Sequence, residues 1–277
     1  MDKAVKHAMS IGAGFAEAKG EDTMTGQIEA VNKDIRKVSE IRNIGIGVRV
    51  FYGKGNGFSF SSVLDTVNVF HAVETAMEIA KASSKRTLMN LKLAEAKTLQ
   101  EKRHTAVKKL PTEVSLDEKK DLCLRQCETA TGVNRQIVNA TSLFGEYHGT
   151  ILYANSEGTK VCYEPLLIGL RITCVAKKGN IIADAWDTYG GSVGLTAFDE
   201  EAHTPERMAE NAAKWAVEKL KAKPAPAGKF DAVIDPRLVG VLAHELAHVV
   251  VDLYFGVPPP QKIHELLAQF VETHLKD

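Results

Sequence analysis

Residues 44–60 read Ile44-Gly45-Ile46-Gly47-Val48-Arg49-Val50-Phe51-Tyr52-Gly53-Lys54-Gly55-Asn56-Gly57-Phe58-Ser59-Phe60, and the fold class turns on them. Residues 44–52 carry β-branched and aromatic side chains at the strand period of two. Residues 57–60 resume the pattern after a glycine-rich break. Upstream, residues 15–19 and 27–41 alternate in the same way, so residues 14–61, after a short N-terminal helix, predict an antiparallel meander. Downstream, residues 64–85 switch to the helical period and place Val69, Phe70, Val73, Ala76, Met77 and Ala80 on one face.

The pattern then repeats loosely. Residues 84–115 are rich in lysine and arginine, poor in large apolar side chains, and contain Pro111. They predict a linker or an exposed helix whose charges form a solvated face. Residues 116–132 predict a second helix closed by Gly132. Strand signals return over 135–191, broken by the turn sequences Asn155-Ser156-Glu157-Gly158 and Lys177-Lys178-Gly179-Asn180. Thr204-Pro205-Glu206 supplies a cap, an N1 proline and an N-terminal acid for a third helix, with Met208, Ala212, Trp215, Ala216 and Leu220 as its buried stripe. A Pro/Ala linker over 223–228 precedes a short strand at 230–234 and a helix opened by Asp235-Pro236. Pro258, Pro259 and Pro260 break that helix, and Ile263, Leu266, Leu267, Phe270, Val271 and Leu275 give a last helix an apolar face. The expected class is α+β: two antiparallel-meander-plus-helix modules, residues 1–112 and 113–225, followed by the start of a third domain, residues 226–277.

Composition excludes little. In 277 residues, 35 Lys and Arg balance 35 Asp and Glu, so no global charge draws the chain to nucleic acid or an anionic membrane. No run of about 18 apolar residues offers a membrane span, and residues 1–10 lack a long apolar run, so the expected location is the cytoplasm. Cys123, Cys127, Cys162 and Cys174 lack zinc-ribbon spacing and read as thiols packed as small hydrophobes.

Chemistry concentrates at His244-Glu245-Leu246-Ala247-His248, an HExxH sequence. Between Leu238 and Leu253 the non-apolar side chains other than Gly240 are His244, Glu245, His248 and Asp252. At about 100° per residue they share an arc of roughly 100°, a single polar stripe on an apolar helix. Two imidazoles one turn apart can hold one Zn²⁺, and the glutamate between them stands where it can take a proton from water. The other reading of the same residues is a pair of helix histidines satisfied by neighbouring carbonyls.

Several segments together resemble the TldD/PmbA family of metalloproteases, also described as modulators of DNA gyrase. They are Gly45-Ile46-Gly47-Val48-Arg49-Val50 with Gly57-Phe58-Ser59, the helix end Ala76-Met77-Glu78-Ile79-Ala80-Lys81, Tyr153-Ala154-Asn155-Ser156-Glu157-Gly158, and Asp235-Pro236 leading into the histidine helix. The resemblance runs from about Ala13 to His248. It implies a zinc peptidase acting on peptides or unfolded segments, with His244 and His248 as metal ligands and Glu245 as general base. The family's motif has one more residue between its histidines, so His244 and Glu245 match by position and His248 by role. The family also continues into a large C-terminal domain that supplies a cysteine ligand, whereas residues 249–277 contain no cysteine. The resemblance therefore implies a chain lacking most of that domain, peptidase-inactive alone, and paired with a related subunit as a homo- or hetero-oligomer. Its alternative is a non-catalytic assembly subunit. In the tail His264, Glu265, Glu272 and His274 are candidate further ligands or the solvated face of the last helix, and Asp252 is a candidate to orient a ligating histidine.

Overall fold

The computed structural model of the chain describes residues 1–87, 93, 96–224, 227–229, 231, 233–234 and 236–255. In chain order the elements are α1 (Asp2–Ser10), β1 (Phe15–Val31), β2 (Asp34–Tyr52), β3 (Gly55–Ser61), α2 (Thr66–Ser84), β4 (Gln100–His104), α3 (Leu116–Val133), β5 (Ile137–Asn155), β6 (Lys160–Glu164), β7 (Leu166–Lys178), β8 (Ile181–Gly191), α4 (Pro205–Lys219) and α5 (Pro236–Phe255). The class is α+β, and residues Met1–Ala222 and Lys223–Asp277 form two compact units.

In the first unit the strands of both halves join one eight-stranded sheet in the order β3-β2-β1-β5-β6-β4, with β7 pairing β5 and β8 pairing β7. The joint is β1 against β5, antiparallel from Glu17↔Asn155 to Val31↔Thr141. β5 is long enough to serve two partners: Ile151–Ala154 pair with β6 and Ile137–His148 with β7. Every pairing is antiparallel except β4 with β6. The even-numbered residues of β1 share one face of that strand and feed two cores. Ala16 and Ala18 join Val48, Val50, Val73, Ala76 and Met77 beneath α1 and α2. Ile28 and Ala30 join Phe144, Leu170, Ile172, Cys123, Met208 and Ala212 beneath α3 and α4.

Glycine sets how closely α2 approaches the sheet. A Cβ on Gly57 would lie 2.0 Å from the Ala76 carbonyl oxygen, and one on Gly55 2.2 Å from that of Ala80. Gly55 and Gly57 of the opening stretch are therefore where helix backbone meets strand backbone. α2 is capped by Asp65, which accepts from the Asn68 amide at 2.8 Å, and α4 by Thr204, which accepts from the Arg207 amide.

Several expectations need correction. Residues 27–41 are not one strand, because the chain reverses at Asn32-Lys33. Asn32 takes a φ of 56°, in the left-handed region that asparagine tolerates, and is fixed there by reciprocal hydrogen bonds with Ala140 of β5. Within 84–115 lies β4, a five-residue edge strand without apolar side chains, held by parallel pairing to β6 rather than by burial. Gly132 is inside α3, which ends at Val133 with Asn134 as its C-cap. Trp215 is 39 % exposed; Ala209 and Ala213 complete the buried face of α4. Residues 231, 233 and 234 carry no strand, while Phe230 and Ala232 lie outside the described residues. Pro258–Pro260 and the last helix lie outside them as well.

Candidate functional site

In the second unit the apolar run from Leu238 folds into α5 over residues 236–255, as its helical period predicts. The histidines of the HExxH sequence come together on it. The rings of His244 and His248 cross edge to face with centroids 4.6 Å apart, and their Nε2 atoms are 3.0 Å apart. Both are half-buried, and Glu245 beside them is exposed. The 3.0 Å between the two Nε2 atoms is a hydrogen-bonding distance, with donor and acceptor set by the tautomers of the two rings. Two nitrogens bound to one tetrahedral zinc at about 2.0–2.1 Å each would stand about 3.3–3.4 Å apart, a few tenths of an ångström from the separation here. The separation alone is therefore close to what a shared metal ion requires, and rotation of the two side chains would re-aim the rings at it.

Among the described residues no group of three or more His, Cys, Asp or Glu side chains could hold a metal ion. His264, Glu265, Glu272 and His274 lie outside those residues, as does the side chain of Asp252. On α5 itself Leu238, Val239, Leu242, Leu246, Val249 and Val250 are exposed and Ala247 is buried. No helix among the described residues is long and apolar enough to cross a membrane.

The cysteines behave as expected. All four are free thiols, and Cys123, Cys127 and Cys174 are buried. Burial pushes the Cys123 thiol up to about 11 and the Cys174 thiol up to about 12, so these sulfurs are protonated packing groups. One polar pair was not anticipated. Lys119 Nζ lies 2.7 Å from Glu146 Oε2, with the two side chains only 10 % and 6 % exposed. A signal for it exists: Lys119 stands at helical spacing from Cys123 and Cys127 on the buried stripe of α3, and a charge there calls for an opposite charge.

Comparison with known proteins places the two halves of the sheet. Residues 16–80 match the PmbA/TldA metallopeptidase domain 1 and residues 109–220 the PmbA/TldA metallopeptidase central domain. The chain is 26% identical over 231 residues to a metalloprotease from Methanocaldococcus jannaschii, covering 83% of this chain and 48% of that protein. It is 22% identical over 254 residues to a zinc metalloprotease TldD homolog from Saccharolobus solfataricus, covering 88% and 52%. A Thermotoga maritima protein described as a modulator of a DNA gyrase shares the fold with a TM-score of 0.64 at 17% identity, over 82% of this chain and 49% of that one. TldE from Thermococcus kodakarensis does so with a TM-score of 0.57 at 15% identity, over 80% and 47%. The chain spans about half the length of the curated relatives it matches.

Proposed function

Since the chain belongs to the PmbA/TldD metallopeptidase family, as both of its matched domains show, we propose that it is part of a zinc-dependent peptidase acting on peptides or unfolded segments. In this reading His244 and His248 hold Zn²⁺ and Glu245 is the general base. Residues 1–112 and 113–225 are the two N-terminal modules, and residues 226–277 open the metallopeptidase domain. The observation that carries it is the pair of Nε2 atoms 3.0 Å apart on one face of α5, with Glu245 beside them and exposed to solvent. Zinc supplies Lewis acidity, which polarises a peptide carbonyl and acidifies water. The Glu245 carboxylate takes the proton of the attacking water and delivers it to the leaving amine. The neutral net charge argues against a nucleic-acid substrate, and we place the protein in the cytoplasm, assembled with a second copy or a related subunit.

Zinc binding by the purified chain tests the ligand assignment independently of activity. We expect weak binding, because two protein ligands are fewer than the three usual at a catalytic zinc, and its loss in His248→Ala. Unchanged zinc stoichiometry and affinity in that variant would refute the assignment. A second reading is a non-catalytic subunit that shapes a partner's cleft. Glu245→Gln separates the two. It should keep the metal and cut peptidase rate in the assembled protein by about two to four orders of magnitude, whereas a scaffold would leave the rate unchanged.

A further inference from the structure

We propose that the outer edge of β3 takes up an extended peptide segment as an added strand, with apolar side chains of the peptide lying against Phe58 and Phe60. β3 ends the sheet: it pairs with β2 from Gly55↔Tyr52 to Ser61↔Ile46 and with no other described strand. The Asn56 carbonyl accepts from Ser83 Oγ of α2 at 2.9 Å, which puts that carbonyl on the outer side of the strand. In an antiparallel pair alternate residues turn N–H and C=O the same way. Those of Phe58 and Phe60 therefore also point outward, where no described residue outside the sheet bonds them. Such an edge is a template for pairing unless charge, proline or a bulge blunts it. The sheet's other open edges are blunted. β4 carries Lys102 and Arg103, residues 34–45 of β2 carry Arg36, Lys37 and Arg42 with a register shift opposite Glu29 and Ala30, and β8 carries Asp184 and Asp187. Gly55–Ser61 has no charge, no proline and an unbroken register.

The two faces of β3 set what the added strand carries. Gly57 and Ser59 stand opposite the buried Val50 and Val48, on the face beneath α2. Phe58 and Phe60 stand opposite Arg49 and Gly47 on the other face, 52 % and 75 % exposed. The Phe58 ring leans over Gly47, where a Cβ would meet it at 3.0 Å, and the two rings border a trough of about 580 Å³ floored by Gly45 and Gly47. A peptide strand beside β3 therefore places large apolar side chains next to the rings and small ones under α2. The edge is too small for a second copy of the chain. Seven residues make a strip about 24 Å long and one strand wide, roughly a few hundred Å², against about 800 Å² per partner in a stable protein pair. A second copy would also bring its own α2 beside the first, above strands about 4.8 Å apart, where two helix axes need about 8–10 Å. A lone extended segment brings no helix. The edge lies wholly in the first unit and its occupancy requires neither zinc nor hydrolysis, so it stands or falls apart from the metal assignment at α5.

The test is fluorescence anisotropy of a labelled peptide of alternating leucine and serine, flanked by lysine for solubility, titrated with the full chain. The control is the same peptide N-methylated at its three central amides, which keeps the side chains and removes the strand hydrogen bonds. We expect the first peptide to bind and the methylated one to bind at least about tenfold more weakly. Phe60→Lys places a charge on the edge at an exposed position, so circular dichroism should match the parent while affinity for the peptide falls by about tenfold. Hydrogen exchange of the parent over residues 57–61 should slow with the unmethylated peptide and not with the methylated one. No binding up to about 1 mM peptide, equal binding of the methylated control, or affinity unchanged by Phe60→Lys would overturn the proposal. Self-association of the parent that Phe60→Lys abolishes would also overturn it, by assigning the edge to a second copy.

Discussion

Replacing Gly57 with alanine tests the packing that fixes the first half of the sheet. The new methyl would sit 2.0 Å from the Ala76 carbonyl oxygen and 2.6 Å from the Ala80 nitrogen, where ordinary contact begins at 3.4 Å. Both obstacles are backbone atoms in the middle of α2, so no side-chain rotation relieves them. The helix must instead lift away from β3 by more than an ångström. Val73, Ala76, Met77 and Ala80, all nearly inaccessible, would lose contact with β2 in the process. Overpacking of a core costs about 1–3 kcal/mol, and more where backbone must move. We expect about 3 kcal/mol or more, which in a unit of this size lowers the melting temperature by roughly 6–12 °C. Gly145→Ala is the control in the same sheet, since a Cβ there meets nothing within 4 Å, and it should change stability by no more than about 0.5 kcal/mol. Thermal and urea unfolding of the two variants beside the parent give the comparison. If both melt together with the parent, the close approach of α2 to β3 is wrong.

Thiol labelling of the native protein with a coloured disulfide reagent at pH 8 should report fast reaction at Cys162 alone, because the other three cysteines are buried and burial holds Cys123 and Cys174 far above that pH; release of four equivalents without denaturant would refute it. The Asp65 carboxyl is held below its ordinary value of 3.8, first by the hydrogen bond from the Asn68 amide and next by the Asn68 side chain. Its folded pKa is depressed, so its stabilisation of α2 is present above pH 3.8 and is lost as pH falls through the lowered folded value; Asp65→Asn should flatten that part of the stability curve, and an identical acid limb in parent and variant would exclude the cap as its source.

What the sequence made legible follows from where its signals are local. Strand and helix periods are properties of neighbouring residues, so the meanders, α2, α3, α4 and α5 can be read directly. The HExxH pair is equally local, since one helical turn suffices to bring His244 to His248. Asn32 is different: its turn is stabilised by Ala140, more than a hundred residues away, and no local period announces it. β4 is invisible for a related reason, being a charged edge held only by its partner's backbone. The Lys119–Glu146 pair and the notch at Gly26 that the Glu146 side chain crosses depend on the β1–β5 register, which periodicity does not specify.

That register also decides how the first unit folds. β1 contributes residues to both cores, Ala16 and Ala18 to one and Ile28 and Ala30 to the other, and its pairing with β5 joins residues 17–31 to 141–155. A fragment of residues 1–112 keeps β2 and β3 but loses β5, and with it the partner on the second edge of β1 from Glu17 to Val31. It also loses α3, which shelters Ile28 and Ala30, so β1, with one edge unpaired along most of its length and apolar side chains uncovered, becomes an edge of the kind that aggregates. Residues 1–222 should therefore unfold in one cooperative transition, seen as coincident circular dichroism and Trp fluorescence curves, although the domains matched at 16–80 and 109–220 are distinct. Residues 1–112 alone should be unfolded or aggregated. A soluble monomeric fragment with strand-rich circular dichroism and a sigmoidal melt would show that β2 and α2 suffice to fold β1, and that the β1–β5 seam is a docking surface between two independent folding units.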